Sequence, residues 1–289
     1  MYELNLRLVR KQIREWLEED IGTGDVTTLT TIPADSRSHA LIHVKEDGIL
    51  AGLPVAEAVF AEVDPGLTFT PQLAEGSSVS KGTVLAVVEG RTRSILLGER
   101  LALNLMQRLS GIATRTRQFV DALEGLPVRL VDTRKTTPGH RMLEKYAVRV
   151  GGGSNHRFGL YDAVMIKDNH IKGAGGITQA VQAARTHIPH TMKIEVEVET
   201  FEQLDEALEA GADILMLDNM KTADMAKAVK GIRNHSPHVV IEASGTVRLE
   251  TIKEIALTGV DVISVGRLTY SVNALDISLD LNGRKEQYL

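Results

Sequence analysis

Six short polar clusters carry most of the chemistry this sequence offers: Thr133-Arg134-Lys135, Lys167-Asp168-Asn169-His170, Glu197, Asp218-Asn219, Ser244-Gly245-Thr246 and Gly266-Arg267. Each follows directly on a run of apolar residues. Arginine and lysine neutralise carboxylates and phosphates, arginine with two parallel hydrogen bonds. Between Arg134 and Lys172 the cations are Arg134, Lys135, Arg141, Lys145, Arg149, Arg157, Lys167 and Lys172, with His140, His156 and His170 beside them; only Glu144, Asp162 and Asp168 oppose them. A chain of net charge -5 has concentrated cations here. That suits an anion funnel, a solvated basic face being the plainer alternative. Ser244-Gly245-Thr246 and Val265-Gly266-Arg267 are loops through which backbone N–H groups approach a phosphate. Glu197 and Asp218 are hard oxygen ligands, suited to Mg²⁺ held largely through waters and substrate oxygens. Lys167 is also a candidate Schiff-base nucleophile. Taken one at a time, Asp, Asn, Ser and Gly at such places serve equally as helix caps and turns.

What positions these clusters is the alternation around them. From residue 128 onward the runs VRLVD, YDAVMI, KIEVEVE, DILMLD, HVVIEA and DVISVG are short, rich in β-branched residues and separated by polar segments of helical character. This is the pattern of repeated βα units around a parallel sheet. In such a sheet closed into a barrel, the carboxyl ends of the strands share one rim. Six units predict an α/β barrel, incomplete or completed by a seventh strand, with an open doubly wound sheet as the alternative. Upstream, Leu6, Val9, Ile13, Trp16 and Leu17 recur at helical spacing in a segment that ends before Gly22. Residues 39–51 and 83–90 read as strands, 54–63 as a helix, and 96–123 as a long helical connector or a helix pair, with Gly111 as the candidate break. The chain therefore begins with a small α+β unit and continues as an α/β one.

With 289 residues, the chain has room for a large core. It contains no cysteine, which excludes disulfides, thiolate nucleophiles and Cys-based metal centres, so a metal must sit on oxygen or histidine. The net charge of -5 and 4% aromatic residues give no footing for nucleic acid, and no apolar stretch approaches the roughly 20 residues of a membrane helix. A cytoplasmic enzyme without membrane or nucleic-acid partners is expected.

The motifs EEDIGTGDVTT, GERLALNLMQRLSGIAT, DTRKTTPGHR, GGGSNHR, KDNH, EVEVE, LMLDNM, EASGTV and SVGRLTYS, in this order, resemble those of the quinolinate phosphoribosyltransferases, or carboxylating nicotinate-nucleotide pyrophosphorylases. The resemblance spans nearly the whole chain. It implies an incomplete, seven-stranded α/β barrel over residues 113–269 and an open-faced α+β sandwich over 1–112, to which residues 270–289 return. It also implies transfer of phosphoribosyl from 5-phosphoribosyl-1-pyrophosphate (PRPP) to quinolinate with loss of CO₂ and pyrophosphate, using Mg²⁺. A homodimer is implied, with Arg100 of one subunit reaching the other's site. The resemblance assigns Arg100, Thr133, Arg134, Lys135, His156, Arg157, Lys167, Glu197 and Asp218 to substrate, and Lys135, Lys167, Glu197 and Asp218 to catalysis. Glu197 and Asp218 then take the metal, and Ser244 to Thr246 with Val265 to Arg267 take the 5-phosphate. The chain departs from the family pattern at its last strand, where Arg267 and Tyr270 stand in place of a small residue and a histidine. A Schiff-base lyase or aldolase using Lys167, a phosphoribosyltransferase of another aromatic acid, and a non-catalytic phosphate-binding scaffold are the competing readings.

Overall fold

The computed structural model describes residues 4–283. Helix α1, Leu6–Ile21, starts where the Asn5 side chain accepts the Leu8 N–H at 3.3 Å, and it buries Val9, Ile13 and Leu17 on one face. A short α2, Val26–Thr31, is capped by Asp25. The expected strand over 39–51 is two elements, β1 (Arg37–Val44) and β2 (Gly48–Ile49), because the charged turn at Lys45, Glu46 and Asp47 breaks it. They pair in different sheets. Helix α3 (Leu53–Val63) has Pro54 in its first turn; β3 (Thr68–Pro71), β4 (Ser78–Val79) and β5 (Val84–Arg91) follow.

Helix α4 runs unbroken from Thr92 to Ala122, straight through Gly111. A Cβ on Gly111 would lie 2.1 Å from the carbonyl oxygen of Asn273, so this glycine marks a close backbone approach and is not a break.

The next elements alternate as expected. Strand β6 (Arg129–Val131) precedes α5 (Arg141–Val150), β7 (Val164–Ile166), α6 (Asp168–Ala174) and α7 (Ile177–His187). Then come β8 (Ile194–Val198), α8 (Phe201–Glu209), β9 (Ile214–Asp218), α9 (Thr222–His235), β10 (Val240–Ser244), α10 (Ile252–Ala256), β11 (Val262–Ser264) and α11 (Arg267–Tyr270). The six strands form one parallel sheet in the order β6-β11-β10-β9-β8-β7. Among the described residues the seventh strand shrinks to a single parallel bridge between Val131 and Ser154, and the barrel does not close. The reason is local: directly after Ser154 the chain turns away, as Asp132 accepts the Asn155 side chain at 2.6 Å and the His156 N–H at 2.9 Å.

Strand β12 (Ile277–Leu281) pairs antiparallel with β1, giving a second sheet of order β12-β1-β5-β3. Residues 277–281 of the stretch 270–289 thus lie in the sheet of β1, and 284–289 lie outside the described residues.

Two compact units result. One comprises the described parts of Met1–Arg117, Met142–Gly152 and Ser271–Leu289; the other is Gln118–Arg141 with Gly153–Tyr270. Most of α5 thus belongs to the first unit, although it lies within the 113–269 stretch expected to be barrel. Its fully buried Glu144 pairs with Arg108 at 2.8 Å, and the Tyr146 hydroxyl donates to Glu75 at 3.0 Å. Burying a carboxylate is tolerable only beside its cation, which ties α5 to α4. Among the described residues no helix is long and apolar enough to cross a membrane.

Candidate active site

At the carboxyl ends of the parallel strands lies a cavity of about 520 Å³. Thr133, Arg134 and Lys135 after β6, His156 and Arg157 after the Ser154 bridge, and Lys167 after β7 line one side. Glu197 and Asp218 from β8 and β9, Ser244 to Thr246 after β10, and Gly266 with Arg267 after β11 line the other. The geometry follows from strand register. Asp218 and Ser244 are direct partners on β9 and β10, and Glu197 pairs with Met216 one strand over. The strand period of two puts Glu197, Asp218 and Ser244 on one face, Asp218 and Ser244 level with each other and Glu197 one step deeper.

Lys167 forms an ion pair with Glu197, and its backbone N–H donates to His170 Nδ1 at 3.0 Å. In the KDNH motif, then, the lysine reaches the cavity and the histidine fixes its backbone. With its Nζ taken up by the Glu197 carboxylate, Lys167 is placed as a charge partner and not as a free nucleophile. Arg157 donates to the carbonyl of Ala163 at 2.9 Å. Burial first, and then the Arg134 charge, pull its guanidinium below the ordinary value. The Arg134 charge acting on Arg157 is an unfavourable interaction that an anionic ligand beside them relieves.

His156 sits deeper. Its Nδ1 accepts the Arg157 N–H at 2.7 Å, while Nε2 faces Glu195 at 3.4 Å and Glu242 at 3.3 Å, both carboxylates being 3% exposed. Burial lowers the imidazole's proton affinity, but hydrogen bonds to the two carboxylates outweigh it and lift the value to about 10. Burial likewise raises the Glu195 carboxyl. Both carboxylates thus face the Nε2 edge of the ring. The three ligand atoms lie within 4.8 Å of one another. A metal on Nε2 requires a proton on Nδ1, however, and the Arg157 amide occupies that lone pair. The trio is a hydrogen-bonded floor for the cavity, and His156 is engaged with protein through both ring nitrogens.

Two sequence-predicted residues stand elsewhere. Val265 is 1% exposed, and its N–H donates to the Val131 carbonyl at 2.9 Å, so the sheet takes the group a phosphate would need. Arg100 is exposed on α4 in the first unit and is not among the cavity residues. Tyr270 does line the cavity, beside Arg267. Glu195, Glu242 and Asn219 carry site geometry that residue types alone leave unassigned. The alternation in KIEVEVE does signal Glu195, two residues deeper on the face of Glu197.

Comparison with known proteins places the chain in a family. The C-terminal domain model of quinolinate phosphoribosyl transferase matches residues 112–280, and the N-terminal domain model matches 25–110. A Synechocystis protein named probable nicotinate-nucleotide pyrophosphorylase [carboxylating] is 49% identical over 93% of this chain and 91% of its own length. A Bacillus subtilis protein of the same name is 46% identical over 96% and 95%. Among solved structures, the nicotinate-nucleotide pyrophosphorylase of Francisella tularensis superposes with a TM-score of 0.90 at 40% identity, covering 96% of this chain and 98% of that one. Fold and site together define a phosphoribosyltransferase built on an open α/β barrel. The chain belongs to the quinolinate phosphoribosyltransferase family.

Proposed function

We propose that this chain transfers the phosphoribosyl group of PRPP to quinolinate with decarboxylation, giving nicotinate mononucleotide, pyrophosphate and CO₂. The observation that carries this reading is the polarity of the cavity. Its lining combines two sets of groups: the cations Arg134, Lys135, Arg157 and Lys167, and the carboxylates Glu197 and Asp218 with two small-residue loops. The first suits a dicarboxylate, with Arg134 and Arg157 as the clamp, and the second suits a phosphorylated sugar.

The pyridine nitrogen attacks C1 of the ribose as the bond to pyrophosphate breaks, through an oxocarbenium-like state that needs positioning and charge neutralisation more than a strong base. Lys135 and Lys167 are placed to take the departing negative charge. The positive charge on the quaternised nitrogen then stabilises the electron pair left on C2 when the carboxylate there departs as CO₂, and C2 takes up a proton. No side-chain nucleophile is involved. Ser244, Gly245, Thr246, Gly266 and Arg267 are the groups we assign to the 5-phosphate, with the Tyr270 hydroxyl or Arg267 in place of the family histidine. Glu197 and Asp218, hard oxygen donors on adjacent strands, fit Mg²⁺, which when bound neutralises pyrophosphate charge. We further assign a homodimer in which Arg100 completes the partner's site, and a cytoplasmic setting, in keeping with an activated sugar phosphate as substrate.

The test is substrate competition. Quinolinate with PRPP should yield CO₂ and pyrophosphate in equal amounts. Nicotinate should bind far more weakly, because one guanidinium is left unpaired, which typically costs about 2 kcal/mol or more. Phthalate, with both carboxylates and no ring nitrogen, should inhibit competitively. Equal affinity for nicotinate and quinolinate, with no inhibition by phthalate, overturns the dicarboxylate pocket.

A further inference from the structure

We propose that Asn219 is a positioning residue that locks Asp218 and the Ser244–Thr246 loop into one frame, so that a single amide sets both grips on the phosphoribosyl donor. The inference rests on the reading of the cavity as a phosphoribosyltransferase site and adds a residue to which that reading gives no role. It starts from the backbone. Asn219 has φ +52°; among the described residues Asn282 is the only other non-glycine with positive φ. Among residues with a Cβ, asparagine adopts this conformation most readily, because its short amide can bond to groups nearby.

Those groups belong to the two subsites themselves. The ladder between β9 and β10 ends at the Asp218–Ser244 pair, and the Asn219 N–H then donates to the Ser244 carbonyl at 3.1 Å. The side chain divides its two ends. Its Nδ2 donates to Asp218 Oδ2 at 2.7 Å, and its Oδ1 accepts the Thr246 N–H at 3.2 Å. Only one orientation of the amide satisfies both, since the reverse sets oxygen against carboxylate and NH₂ against N–H. Gly245 completes the interlock. At φ +114° it presents no Cβ; one there would fall 2.3 Å from Asn219 Oδ1 and 2.9 Å from the Asn219 nitrogen. The SGT tripeptide therefore has glycine at its centre because Asn219 fills the space a side chain would take.

The variants separate backbone from side chain. Asn219→Gly keeps the left-handed conformation and deletes both side-chain hydrogen bonds. Asn219→Asp keeps the acceptor for Thr246 but sets a carboxylate against Asp218. Steady-state kinetics should show the KM for PRPP raised on the order of tenfold to a hundredfold in both, as expected for loss of bonds to a charged group and an ordering loop. The Kd of phthalate, measured by calorimetry without PRPP, and the melting temperature of Asn219→Gly should stay near wild type. Gly245→Ala should weaken ribose 5-phosphate binding in the same assay and leave phthalate binding intact. An unchanged KM for PRPP in Asn219→Gly, or an equal loss of phthalate and PRPP binding, overturns the proposal. A wild-type enzyme that fails to turn over quinolinate with PRPP overturns the parent reading instead, so the two failures are distinguishable.

Discussion

His156 illustrates how one residue type takes different roles according to what meets each ring nitrogen. A histidine among arginines reads as a further cation for the substrate. In the structure its Nε2 faces Glu195 and Glu242 beneath the cavity. This has a pH signature. The imidazole ordinarily titrates near 6.5 and is raised to about 10 in the fold. Its contribution to stability is therefore complete below pH 6.5 and is lost as the pH climbs through about 10. Urea midpoints of the wild type should fall over that window, while Glu242→Gln should start lower at pH 6 and fall less. Parallel curves remove the trio from the account. At the rim, Glu197→Gln and Asp218→Asn preserve shape and remove charge. Each should lower kcat by about a hundredfold and shift the Mg²⁺ titration, with the melting temperature held. At this scale the sequence is informative about charge and poor about direction: Arg134, Lys167 and Asp218 are found where strand ends place them, whereas the Val265 amide was lost to the sheet.

Elements were legible wherever period and punctuation agree. All six βα runs form strands, because continuous apolar character and a polar end leave little else for them to do. What stayed hidden is long-range contact. Gly111 reads as a helix break from propensity alone, yet helix α4 continues through it because the chain ahead of β12 packs against that position. This contact decides the sign of a substitution. Gly111→Ala should gain about 1 kcal/mol of helix propensity. Against this, the clash with the Asn273 carbonyl, a backbone atom that cannot swing aside, costs about 1–3 kcal/mol or more. The melting temperature should therefore drop. A rise would mean the Asn273 segment moves away freely. Helix α5 is the same lesson: its amphipathic spacing fits a barrel helix, and only the pairing of Glu144 with Arg108 assigns it to the first unit.

At the scale of the molecule, Arg100 sits in one unit and the cavity in the other. If Arg100 serves a partner's cavity, Arg100→Ala and Arg157→Ala should each be nearly inactive alone and recover activity when mixed under conditions of subunit exchange. One heterodimer site then carries neither change. Mixtures that stay inactive despite confirmed exchange leave Arg100 with a role in its own chain.

The first unit is drawn from three separate stretches of chain, and its sheet is completed by β12, which follows the entire barrel-forming region. On a ribosome this imposes a schedule. Between Val44 at the end of β1 and Ile277 at the start of β12 lie about 230 residues, or about 10 to 50 s of synthesis at 5–20 residues per second. Throughout that interval one edge of β1 has no strand to pair with. Its inner residues, Ala40, Leu41, Ile42 and Val44, are among the most buried in the finished fold. The barrel unit can form while its neighbour waits. The nascent chain therefore passes through a stage in which a sticky β edge is the part most in need of a chaperone.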